Sequence, residues 1–177
     1  MIEVTIADSC FLKLEQALRA AGSNEIGGVL AAEQIGDGRF LVVDLSIQSD
    51  GTISDFKRDP IQHREFIQRF HSRMGHRPER FNYLGEWHSH PNYPAIPSEA
   101  DIQQMQDLVE DVEQASTFLV LMVIKLSEDA SLRGTIYGFR PQLGPVRGRL
   151  RGPENTLIKE EFEPIIVMPA RRKTDDS

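Results

Sequence analysis

The sequence predicts an α+β domain, a mostly antiparallel sheet flanked by helices, and three observations carry that prediction. Segments that alternate apolar and polar residues are interleaved with segments whose apolar residues recur at helical spacing. Glycine, proline and aspartate punctuate the boundaries, and no repeat or low-complexity linker divides the chain. A length of 177 residues with 40% hydrophobic content is also enough for one buried core.

Residues 2–6 alternate as a short strand. Phe11, Leu14 and Leu18 then mark a helix over 8–21, with Gly22 as its stop. Residues 25–34 and 40–48 read as strands, and Gly36-Asp37-Gly38 turns one into the other as a hairpin. Residues 49–59 are polar and irregular. Pro60 opens a helix that ends near Gly75, with Ile61, Phe66, Ile67 and Phe70 as its apolar side. The next strand covers 82–90, and Pro91, Pro94 and Pro97 break regular structure after it. A helix over 98–112 and strands over 118–127 and 131–140 follow, with Arg133-Gly134 marking a bulge. This domain is expected to span 1–141. Residues 142–169 form an extension in which 161–168 adds a strand or covers an edge, and the charged tail 170–177 is expected to be disordered.

A net charge of -7 argues against a nucleic-acid partner, which requires a basic surface to displace counterions. Arg147, Arg149 and Arg151 alternate within one segment and read as a solvated face. A single cysteine, Cys10, excludes an internal disulfide and a cysteine-rich zinc site. Beside Phe11 and Leu12 it reads as a packed core thiol. The start, Met1-Ile2-Glu3-Val4, has neither the basic residues nor the apolar run of a signal peptide. The longest apolar stretch, 118–124, is too short to span a bilayer, so no membrane partner and a cytoplasmic location are expected.

The richest segment is Tyr83-Leu84-Gly85-Glu86-Trp87-His88-Ser89-His90-Pro91. On a strand His88 and His90 project to one side and can chelate one ion, while Ser89 points the other way. Asp101, in Ser98-Glu99-Ala100-Asp101, offers a third ligand. Two imidazoles and a carboxylate leave one tetrahedral position open, as in catalytic rather than structural zinc sites. Zinc lowers the pKa of bound water from about 15.7 to about 7, which at ~1.36 kcal/mol per unit eases deprotonation by about 12 kcal/mol. By itself His-x-His is common without a metal, and Ser98-x-x-Asp101 is also a helix N-cap with an acid in the first turn. The conjunction gives the ligand reading its weight: His-Ser-His-Pro, six residues, Ser, two residues, Asp.

That conjunction resembles the signature of the JAMM (JAB1/MPN/Mov34, or MPN+) zinc metalloproteases, which His88-Ser89-His90-Pro91, Ser98 and Asp101 match without a gap. The resemblance covers roughly residues 3–140 and implies an MPN/JAB domain of cytidine-deaminase-like architecture. It implies that His88, His90 and Asp101 bind Zn2+, that an upstream glutamate shuttles protons, and that Ser98 helps to stabilise the tetrahedral oxyanion. Glu25, in Asn24-Glu25-Ile26-Gly27-Gly28, occupies the glutamate's place, with Glu86 and Glu33 as rivals. Amidohydrolase barrels also carry a strand-borne His-x-His, but they need about 250 residues. Zinc deaminases need a Cys-x-x-Cys that this chain lacks.

The wording of residues 84–91 and the proline-rich 92–98 loop look most like compact, stand-alone bacterial members. Those are often encoded beside ubiquitin-activating-like and conjugating-like enzymes, including in antiphage defence operons. By resemblance the expected function is a zinc-dependent isopeptidase or peptidase that cleaves after the C-terminal tail of a ubiquitin-like protein. That protein or its conjugate would be the substrate, and the operon's activating and conjugating enzymes would be partners. A processing peptidase that exposes the Gly-Gly end of a ubiquitin-like sulfur carrier would use the same residues. A non-catalytic MPN scaffold is the third alternative, although scaffold members typically lack the metal ligands. Residues 49–59 and 92–97 are candidates for gripping an extended tail.

Other features are quieter. His63, His71 and His76, on or after the second helix, read as solvated or helix-terminal. Trp87 has the opposite strand parity from the two histidines and reads as core. Tyr93 and Ile96 either cap the core or touch substrate.

Overall fold

A computed structural model of the chain describes residues 1–49, 59–112, 116–154, 156 and 158–161. Along it lie β1 (Glu3–Ile6), α1 (Asp8–Ala21), β2 (Gly27–Gly36), β3 (Arg39–Leu45), α2 (Pro60–Arg73), β4 (Phe81–Ser89) and α3 (Glu99–Glu110). Then come β5 (Leu119–Leu126), β6 (Leu132–Arg140), β7 (Leu143–Arg147), β8 (Arg149–Arg151) and β9 (Lys159–Glu160). The helices form where one side can be buried. In α1, Cys10, Leu14 and Leu18 recur every four residues and face the sheet, and the Gly22 N–H closes the helix on the Leu18 carbonyl. In α2, Pro60 needs no donor in the first turn, and the Asp59 carboxylate accepts the Ile61 and Gln62 N–H groups.

The strands form one sheet in the order β7-β6-β5-β4-β2-β3-β1-β8, with β9 also on β6. The β2–β3 hairpin is present and antiparallel, as are the β2–β4, β5–β6 and β6–β7 pairs. The pairs β1–β3, β1–β8, β4–β5 and β6–β9 are parallel. The expectation of a mostly antiparallel sheet is therefore corrected to a mixed one. The cause is connectivity: β4 reaches β5 through α3, and a crossover of that length returns the chain in the same direction. The sheet also curls like a barrel. The Gly148 N–H bonds to Ile136 of β6 and the Arg149 N–H bonds to Ile2, which brings the β8 side of the sheet round toward β6.

Both faces of the central strands are covered. Trp87, Leu30 and Met122 pack with Leu14 of α1, while Leu121, Val123 and Phe139 pack with Met105 of α3. Burial on both faces explains why β5 reads as an unbroken apolar run rather than as an alternation. A two-residue strand stands at Lys159–Glu160, and of the segment 161–168 only Glu161 is among the described residues. The tail 170–177 and positions 50–58 of the irregular segment lie outside them. No helix among the described residues is long and apolar enough to cross a membrane.

No bulge occurs at Arg133-Gly134, since the β5–β6 register is unbroken from Leu119↔Phe139 to Leu126↔Leu132. Gly134 instead permits close packing, because a Cβ there would lie 2.9 Å from the Val123 carbonyl oxygen. The bulge that matters is in β4. Leu30 pairs with Gly85 but Ala31 with Tyr83, so Leu84 is an extra residue in the ladder. It lets Leu84 and Trp87, three positions apart, enter the same core. Gly85 sits at φ 149°, and a Cβ there would meet the Val120 carbonyl oxygen at 2.0 Å. Gly85→Ala is expected to destabilise the fold by roughly 3 kcal/mol or more, combining backbone strain with overpacking. Denaturant unfolding checks this, and a loss below 1 kcal/mol would contradict the geometry.

Candidate metal centre

β4 is the middle of the sheet, and its last residues carry the candidate ligands. His88 is in register with Gly27 on one side and Val123 on the other, and the His90 N–H bonds to the Ile124 carbonyl at 3.1 Å. Pinned between two strands, the imidazoles have little backbone freedom. α3 begins opposite them. Its N-cap, Ser98, takes the Asp101 N–H on Oγ at 3.2 Å, while Asp101 Oδ2 accepts the Ser98 N–H and O–H, both at 2.7 Å. The capping and ligand readings of Asp101 are thus not alternatives. The capping box aims one carboxylate oxygen at the histidines.

That oxygen lies 3.5 Å from His88 Nε2 and 3.8 Å from His90 Nε2, and the two Nε2 atoms are 3.0 Å apart. Ligands about 2.0–2.2 Å from a tetrahedral ion stand roughly 3.3 Å from one another, and the three separations bracket that value. The donor set, two imidazoles and a carboxylate, suits zinc, and a fourth position is left for water or substrate. His90 Nδ1 is 3.0 Å from the Pro94 carbonyl, which can only accept. The proton therefore sits on Nδ1, and the Nε2 lone pair faces the cluster. Burial, followed by the neighbouring His88, lowers the His90 pKa and favours the neutral imidazole that a metal requires. Burial alone would raise the Asp101 pKa, but bonds from His88 and Ser98 outweigh it and keep the carboxylate ionised.

Glu25 lies just before β2 and is buried. Ser89 holds it there: the Ser89 N–H bonds to the Ile26 carbonyl at 2.8 Å, and Ser89 Oγ accepts the Ile26 N–H at 3.0 Å. Ile26 thus stands across from Ser89, one step past the Gly27–His88 pair, and Glu25 is the next residue along. Gln48 supports the same segment through a two-way backbone bridge to Gly27. Glu33, a rival for the proton-shuttle role, stands at the other end of β2, where it is paired with Arg80. Glu86 is buried closer by. Its Oε1 is 3.5 Å from the Tyr83 hydroxyl and 4.0 Å from His63 Nδ1.

The expectation of a solvated or helix-terminal His63 is therefore corrected. His63 is 9% exposed and bonds to Gln48 Oε1 at 2.8 Å, whereas Ile61, assigned to the apolar side, is 71% exposed. Its position seven residues before the buried Phe70, on the same helical stripe, was the available signal. His71 and His76 do lie at the helix end, joined by the bond from the His76 N–H to the His71 carbonyl. Trp87 is fully buried, with Nε1–H donated to the Ser46 carbonyl at 2.9 Å. Tyr93 is half-exposed, edge-on to the His90 ring. Cys10 is a buried thiol, its pKa pushed up to about 11 by burial and then by Asp44. Its place in the α1 core leaves it no part in the site.

A sequence model of the family described as prokaryotic homologs of the JAB domain matches residues 8–133, a span that includes all three candidate ligands. The fold is similar to the solution structure of protein DSY2949 from Desulfitobacterium hafniense, with a TM-score of 0.63 and 22% identity over 86% of this chain and 94% of that one. No curated protein matches this sequence.

Proposed function

The chain belongs to the family of prokaryotic JAB-domain homologues, and from that premise we propose that it is a zinc-dependent peptidase or isopeptidase acting on the C-terminal tail of a ubiquitin-like protein. The observation that carries the catalytic reading is the convergence of His88, His90 and Asp101 at 3.0 to 3.8 Å, with the His90 proton fixed on the nitrogen that faces away. Zinc held there supplies a Lewis acid and water that deprotonates near neutral pH. The protein's own groups do the rest. Glu25 takes a proton from the attacking water and hands it to the leaving nitrogen as the C–N bond breaks. Ser98 holds Asp101 in its ligating orientation through its N–H and O–H. For the oxyanion role that the resemblance implies, its hydroxyl would have to turn from Asp101 to the oxyanion. A scaffold role would leave two imidazoles and an ionised carboxylate converging without purpose.

The ubiquitin-like substrate rests on the resemblance carried by the His-Ser-His-Pro to Asp101 spacing. The 92–97 loop, with the half-exposed Tyr93 edge-on to His90, is the segment assigned to grip an extended tail. A panel of ubiquitin-like proteins, each as a linear fusion and as a lysine conjugate, tests the reading with wild type and Glu25→Gln side by side. Cleavage after the tail by wild type alone supports it. Cleavage of linear fusions only would favour the processing peptidase, and no cleavage of any member with zinc present would overturn the substrate assignment.

A further inference from the structure

The loop after β4 sets the orientation of His90. Within it the Ile96 N–H bonds to the Pro94 carbonyl at 2.8 Å and the Tyr93 N–H to the His90 carbonyl at 3.4 Å, and three further bonds to its peptide groups come from outside the loop. The Pro94 carbonyl accepts His90 Nδ1–H at 3.0 Å. On one side of it, the Tyr93 carbonyl accepts from Lys125 Nζ of β5 at 3.1 Å. On the other, the Ala95 carbonyl accepts from the buried Thr135 hydroxyl of β6 at 2.7 Å. The Ala95 N–H, whose peptide includes the Pro94 carbonyl, is donated to Glu161 Oε2 at 3.1 Å. That carboxylate is also 3.9 Å from Lys125 Nζ, and the Arg147 side chain bonds to the Glu161 carbonyl. Glu161 lies 28 residues beyond the end of the matched family segment at 133.

We propose that Glu161 is a positioning residue for the metal ligand His90, so that the chain beyond the family segment completes the metal centre. The inference rests on the metal reading above. Glu161 touches neither ligand nor substrate. It holds the N–H side of the peptide plane whose oxygen takes the His90 proton, the oxygen side being held by the Ile96 N–H, and it pairs with Lys125, which fixes the neighbouring plane. The group bonded directly to a ligating histidine, here the Pro94 carbonyl, is worth about 10–100-fold in metal affinity, and Glu161 stands one bond further out.

The test is zinc affinity, measured by competition with a chromophoric chelator, alongside melting temperature. Glu161→Ala is expected to weaken zinc binding by about three- to tenfold, below the full effect of a direct outer partner. Glu161→Gln, whose amide oxygen still accepts the Ala95 N–H, should recover most of that loss. Lys159→Met breaks the β9 ion pair with Asp129 without touching the loop and should leave affinity within twofold. Thr135→Val, which frees the Ala95 carbonyl in the next peptide of the loop, should weaken zinc binding even if Glu161→Ala fails to fold. The proposal is overturned if Glu161→Ala or Thr135→Val binds zinc like wild type, or if Lys159→Met weakens binding as much as Glu161→Ala. Wild type that binds no zinc would overturn the metal assignment itself and this inference with it.

Discussion

Asp101→Asn is expected to abolish zinc binding and turnover while lowering the melting temperature by only a few degrees. The two roles of this side chain separate cleanly in that variant. An asparagine oxygen still accepts the Ser98 N–H and O–H, so most of the cap is kept, and even a full cap is worth only about 1 kcal/mol. The metal, by contrast, loses its only anionic ligand, and the amide that replaces it is neutral. The loss should exceed the 10–100-fold typical of an outer-shell partner. Zinc titration and thermal melting on one sample decide the matter. A variant that binds zinc as wild type does but melts much earlier would leave Asp101 as a cap and nothing more.

Glu25→Gln should keep zinc and lose about 10²–10⁴-fold in kcat, the range that a positioned general acid–base contributes. The substitution is isosteric at a buried position held by Ser89, so the segment should stay in place. If more than a tenth of the activity survived, the proton shuttle would lie elsewhere. Glu86 would be the next residue to test, since it is buried two positions from His88. Glu86→Gln is expected to leave more activity than Glu25→Gln, because its carboxylate faces Tyr83 and His63.

How much was legible in the sequence follows from the range of each contact. His88, His90 and Asp101 fall within 14 residues; strand alternation put the two histidines on one side, and Asp101 was joined to them by the spacing that resembles the JAMM signature rather than by geometry. The apolar periods likewise marked α1, α2, α3 and the β2–β3 hairpin. Periodicity tells which face a side chain takes, not which partner lies across from it. It therefore left the parallel β4–β5 pairing unread, and with it the mixed, barrel-like sheet. The extra residue at Leu84 needed the cross-strand register to be seen. His63 looked polar and exposed because its partners, Gln48 and Glu86, lie 15 and 23 positions away. Glu161 was hidden for the same reason, 66 positions from the Ala95 N–H it accepts.

The central claim, a zinc hydrolase built on His88, His90 and Asp101, meets its most direct test in metal content and cleavage measured on the same sample before and after chelation. One zinc per chain is expected, with loss of cleavage when the metal is stripped and recovery on adding one equivalent of zinc. Undiminished cleavage by metal-free protein, or a chain that takes up no zinc at micromolar concentration, would contradict it.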